Sequence, residues 1–122
     1  MRQNHAELRE TIRANRSAAK SARRNGDWTS CWRLLEDSHI LSQPWVIPHL
    51  QVHASMLVSG YEERDHREVV GQILRLLVGA PASALKNYPV GNSGRARISA
   101  IKPMPLRPDL AEALARAGQR TE

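Results

Sequence analysis

The sequence predicts an all-α protein: a small bundle of four to five helices with an extended Pro/Gly-containing arm near the C-terminus. Three observations carry that expectation. Apolar residues recur at steps of three and four in several separate segments, Gly, Asn and Pro fall between those segments as stops, and there is no strong strand signal. A length of 122 residues suits one domain, 1–122, with residues 86–108 as an arm packed on the bundle.

The first helix is expected over residues 5–24, where Leu8, Ile12, Ala19 and Ala22 share one side. Arg9, Arg13, Arg16, Lys20 and Arg23 recur three or four apart on the other side and form a basic stripe. Asn25-Gly26-Asp27 ends this helix, with Gly26 suited to a left-handed closing residue and Asp27 to capping the next helix. The second helix should run from Trp28 to about Leu41, with Trp28, Trp32, Leu35 and His39 along one face. Ser42-Gln43-Pro44 breaks it, because a residue before proline is biased away from helical angles. The third helix should start near Trp45, where Pro44 and Pro48 both fit the first turn, and end near Gly60.

Asp65-His66-Arg67-Glu68 has capping-box spacing, and Val69, Ile73, Leu76 and Leu77 continue with a helical period, so a fourth helix is expected over 66–79. A weaker helical turn can extend it past Pro81 to Leu85. Residues 86–108 have lost the period, contain four prolines and two glycines, and carry no acidic residue, which reads as an arm with turns. Pro108-Asp109 opens a short last helix that Gly118 closes.

Several classes are excluded or disfavoured. The apolar runs at 46–58 and 73–82 are interrupted well short of the roughly 18 residues a membrane span needs, so no span is expected. Without a secretory signal at the N-terminus, a cytoplasmic address is expected. The single cysteine, Cys31, reads as core filling rather than chemistry. Lys and Arg outnumber Asp and Glu by 18 to 12, giving a net charge of +6. That balance is compatible with polyanion binding, yet many small proteins are this basic.

The pattern that points to chemistry lies around the second turn. Glu36 and His39 are three apart on the second helix, and His49 and His53 are four apart on the third, so each pair occupies one helix face. Antiparallel packing about residues 42–46 sets His39 opposite His49 and Glu36 opposite His53. Buried imidazoles and carboxylates need partners, so the four form either a cation site or a closed polar network. Nitrogen and oxygen donors of this kind suit Zn, Fe, Ni or Cu, and a set with an open position permits metal-assisted chemistry. Glu36, His39 and His53 are also the candidate catalytic residues. The competing reading is that each core histidine simply donates to a carbonyl. Glu63-x-x-His66 formally repeats Glu36-x-x-His39, as in carboxylate-bridged di-iron bundles, but His66 lies too far along the chain from His53 and fits a helix cap better.

Gly91-Asn92-Ser93-Gly94-Arg95 reads first as a turn. As an anion or substrate cradle it would use Asn92, Ser93 and Arg95, though the Gly-Lys-Ser/Thr ending of a P-loop is missing. The tract 102–108 reads as a strap placing Met104 and Leu106 over the bundle.

The blocks Leu34-Leu35-Glu36-Asp37-Ser38-His39-Ile40-Leu41-Ser42-Gln43, Val52-His53 with Met56-Leu57, Gly71-Gln72, Pro89-Val90-Gly91-Asn92-Ser93-Gly94 and Lys102-Pro103-Met104-Pro105 resemble a family of small bacterial proteins catalogued only as a domain of unknown function. The resemblance spans roughly Trp32 to Leu110. It implies no activity, but it implies that His39, His49, His53 and the Gly-Asn-Ser-Gly turn belong to a shared pattern. The leading expectation is a transition-metal-binding helical protein, extending to a metal-dependent enzyme acting on a small-molecule substrate. One alternative is a basic regulatory or nucleic-acid-binding module using Arg9, Arg13, Arg16, Lys20 and Arg23. Another is a metal-free acid/base enzyme in which Glu36 orients a histidine. The Ala face of the first helix is suited to a homodimer.

Overall fold

A computed structural model describes the backbone of residues 2–122 and the side chains of 4–78 and 83–122. Five helices succeed one another: α1 (Arg2–Arg24), α2 (Trp28–Ser42), α3 (Val46–Glu62), α4 (His66–Ala84) and α5 (Pro108–Arg116). No strand occurs among the described residues.

The α1–α2 hairpin turns on Gly26, whose φ of +73° is the left-handed conformation that glycine adopts without a Cβ clash. Asp27 then accepts from the Ser30 amide at 3.2 Å and caps α2. Leu8, Ile12 and Ala19 from α1 meet Cys31, Trp32, Leu35 and Leu41 from α2 and Val52 and Met56 from α3, and Leu110 and Leu114 of α5 complete the apolar core. Leu35, Leu41 and Met56 are fully buried, each contributing about 1.5–3 kcal/mol. Buried Cys31 belongs to this core. So do Ala19 and, in part, Ala22, which means the helix-one face expected to serve a dimer is used inside the chain.

Among the described residues, helix α4 contributes nothing to that apolar cluster. It packs along α3 through a polar seam made by fully buried Glu68, Gln72 and Ser83. Gly60 permits the close approach, since a Cβ there would lie 3.1 Å from the Glu68 Cβ. The helix does not stop at 79 but runs on through the weaker turn expected beyond Pro81, to Ala84. Two contacts hold the extension: the Ser83 hydroxyl meets His49, and the Lys86 ammonium donates to the Pro44 carbonyl. Residues 85–107 form turns and extended chain, pinned where Met104 N–H donates to the Val90 carbonyl. Leu106 packs against the core.

Candidate metal centre

His39 lies in the last turn of α2, and His49 and His53 lie one turn apart at the start of α3. The connection is tight, closed by Trp45 N–H donating to the Ser42 carbonyl at 2.9 Å, so the two helices place these residues face to face. All three side chains are buried, and one nitrogen of each lies within 4.8 Å of the others. The Nε2 atoms of His49 and His39 are 3.1 Å apart, and those of His53 and His49 are 3.0 Å apart.

The outward ring nitrogens are all engaged. His39 Nδ1–H donates to the Asn92 carbonyl at 2.7 Å. His53 Nδ1–H donates to Gln72 Oε1 at 2.6 Å, and the amide orientation is fixed because Gln72 Nε2 donates to Glu68 Oε2 and to the Gly94 carbonyl. His49 Nδ1 pairs with the Ser83 hydroxyl at 2.7 Å. A carbonyl and an amide oxygen can only accept, so neutral His39 and His53 are forced into the tautomer with a bare lone pair on Nε2. Those lone pairs point into the space they share with His49. A single N–H on His49 cannot satisfy both fully, and the mismatch sits in a buried environment where it costs most.

Protonation does not relieve it. Burial, with the neighbouring imidazoles adding to it, holds His39 well below the usual histidine range. Burial first, and then His53, pushes His49 down to about 3. Burial brings His53 to about 4 despite the opposing hydrogen bond to Gln72. All three are therefore neutral, ligand-competent imidazoles at neutral pH. A cavity of about 70 Å³ adjoins the rings, with Gln43, Arg75, Val78, Tyr88 and Pro89 on its other sides. That holds a few waters or one small molecule.

Glu36 is not brought into this set. Its carboxylate, partly exposed, takes an ion pair from Arg95 Nη1 at 3.2 Å. The same guanidinium donates from Nε to fully buried Glu68 at 2.6 Å and stacks 3.7 Å over the Trp32 ring. Glu68 also accepts from the Ala96 amide at 2.8 Å. A chain of contacts thus runs His53–Gln72–Glu68–Arg95–Glu36, and Glu36 stands at its far end. Among the described residues no carboxylate hydrogen-bonds to any of the three imidazoles, so the expected Glu36–histidine acid/base pair is not formed. Glu63, the formal second copy of the motif, accepts instead from Trp32 Nε1 at 3.2 Å.

The Gly-Asn-Ser-Gly turn faces inward and forms one wall of the histidine site. The Asn92 amide donates to the Ser99 and Lys102 carbonyls, and its Oδ1 accepts from Gly94 N–H at 2.9 Å, leaving the side chain committed within the turn. Ser93 is buried and Arg95 is held by its two carboxylates, so none of the three forms an open anion cradle. Gly94 has φ +81°, and a Cβ there would lie 2.5 Å from the His39 ring.

The basic stripe of α1 borders a groove of about 550 Å³ shared with α3, lined by Arg13, Arg16, Lys20 and Arg23. Arg16 and Arg23 are half-buried, whereas Arg9, Arg13 and Lys20 are exposed. Arg16 donates to Ser55, Arg23 pairs with Glu62, and Arg13 pairs with Glu10 on its own helix. Arg9 lies near the Trp45 ring.

Sequence reasoning gave Gln72, Ser83 and Glu68 no part in the histidine site. The signal was present: they recur along α4 as polar residues on the side that also carries the buried contacts, interrupting what an apolar stripe should show.

These features define an all-helical protein with a buried trio of histidines, each oriented by a separate partner. A family model described as "Protein of unknown function (DUF3703)" matches residues 6–114, and the chain belongs to that family. The match extends beyond the blocks between Trp32 and Leu110 to include nearly all of α1. No curated protein and no solved structure matches the chain. No helix among the described residues is long and apolar enough to cross a membrane.

Proposed function

We propose that the protein binds one divalent transition-metal ion through the Nε2 atoms of His39, His49 and His53, leaving a coordination position open to the adjoining cavity. The observation that carries this is the convergence of two enforced Nε2 lone pairs on a third imidazole, an arrangement that a cation satisfies and a proton does not. The spacing agrees. Ligand nitrogens 2.0–2.1 Å from a tetrahedral zinc lie about 3.3 Å apart, close to the 3.0 and 3.1 Å seen here.

Zinc, iron, nickel and copper all suit three imidazoles. The donors are neutral, so a bound ion would keep its full charge, and zinc held by these three residues would supply acidification of a water to about pKa 7. An enzymatic role on a small molecule follows from the open position, with the cavity restricting the substrate to a few heavy atoms. In this reading Glu36 acts at a distance, as an anchor for Arg95.

Elemental analysis of protein purified without a histidine tag tests the reading. About one equivalent of metal per chain is expected, lost in His49→Ala. Cobalt reconstitution should give the intense visible bands of a four- or five-coordinate site. Less than about a tenth of an equivalent, with none taken up on reconstitution, would overturn it.

A further inference from the structure

The outer side of α4 carries Val70, Ile73, Leu74, Leu77 and Val78, all exposed, from 45 % for Ile73 to 73 % for Leu77. Their spacing of three and four makes one continuous stripe along the helix. Leu85 comes just past the helix end, 76 % exposed, and Ile101 is 83 % exposed beside Ala100, which lines the same cavity as Val78. The five helical residues offer on the order of 500 Å² of apolar surface, and with Leu85 and Ile101 about 800 Å², beyond the usual largest patch of a monomer and close to the roughly 800 Å² per partner of a standard interface.

Charge helps to identify the occupant. A helix lying on an anionic membrane carries Lys and Arg flanking its apolar face. Here Arg67 lies at the helix start, while Arg75 is turned inward, donating to the Gly94 and Ile98 carbonyls. Exposed Arg67 and Lys102 stand at the margins of the patch, but between Val70 and Val78 the one charged residue is the inward-turned Arg75, so in a chain of net charge +6 this stretch is where a second copy approaches with least repulsion. A straight stripe of branched aliphatic residues is also self-complementary about a twofold axis, so both copies bury the same residues.

We propose that α4 is the interface of a homodimer formed with a second copy of this chain. The dimer joins through α4 rather than α1, and because Val78 belongs to both the stripe and the cavity lining, each partner covers the outer side of the other's cavity.

Sedimentation equilibrium of the full chain after chelation keeps the test independent of metal binding. A species of twice 13.7 kDa is expected across a micromolar series. Leu74→Glu with Leu77→Glu should weaken the dimer by about a hundredfold or more while circular dichroism stays helical, since both side chains are exposed in the single chain. A wild-type monomer throughout the series, a dimer indifferent to the double variant, or a monomer that instead sediments with anionic vesicles overturns the proposal. Should the double variant not fold, amide hydrogen exchange of the wild type at two concentrations decides: concentration-dependent protection confined to α4 supports the interface, and protection on α1 or none overturns it.

Discussion

His53 donates its Nδ1–H to Gln72, and the other end of the same amide donates to Glu68, so one neutral side chain fixes an imidazole tautomer and connects it to a buried carboxylate. Outer partners of this kind set both the direction and the basicity of a ligand nitrogen. Gln72→Met removes the acceptor at nearly constant volume. Zinc affinity, measured by competition with a chromogenic chelator, should fall 10- to 100-fold with the helical content retained. Unchanged affinity would mean that Gln72 has no part in orienting the ring.

Glu36 and Arg95 should behave very differently despite being paired. Glu36→Gln removes one partly exposed partner of the guanidinium and should leave metal stoichiometry at the wild-type value. Arg95→Met strips the cation from a fully buried carboxylate, which costs about 3–5 kcal/mol, read as a lower urea midpoint. Loss of metal in Glu36→Gln would return that residue to the ligand set.

Gly94 has no room for a side chain. Gly94→Ala combines a strained positive φ with a methyl driven into the His39 ring, and the expected destabilisation is more than about 1 kcal/mol. Metal uptake should suffer with it, because the ring must shift. A variant with unchanged thermal midpoint and metal content would show that the turn yields freely.

The metal-free protein should be acid-sensitive in a defined window. Unfolded imidazoles titrate near 6.5, whereas His53 and His49 in the fold are held to about 4 and about 3, and His39 is also far below its ordinary value. Below about pH 6.5 the unfolded chain binds protons that the native chain refuses, so this contribution to stability is complete above that value and falls with acidification down through about pH 4 and about 3, where His53 and His49 take up their protons in the fold. Urea midpoints of chelated protein, taken downward from neutral pH, should decline throughout this window. A flat profile there would contradict neutral burial of the three rings.

Much of this was legible in the sequence. Periodic apolar residues and the Asn25-Gly26-Asp27 stop located α1 and α2 closely, and the i,i+4 pair His49 and His53 across a short turn from His39 was sufficient to place the trio. Glu36 misled because its nearest partner, Arg95, is 59 positions away, and local spacing carries no information about such a partner. Glu68 read as a helix-cap residue. Asp65 does accept from the Glu68 amide, but the Glu68 side chain turns inward to Arg95, Ala96 and Gln72. The last turn of α4 was obscured by Pro81, and with it Ser83. The Asn92 acceptor is a main-chain carbonyl, which side-chain identity does not reveal.

The three clustered imidazoles all belong to positions between 39 and 53, while the groups that orient them come from 72, 83 and 92. A hairpin cut off after Glu62 would carry all three clustered imidazoles and none of those orienting groups, leaving each ring free to rotate and to present either nitrogen. The second half of the chain therefore works as a mould for the first: it supplies no donor of its own, yet it determines which nitrogen of each ring is presented.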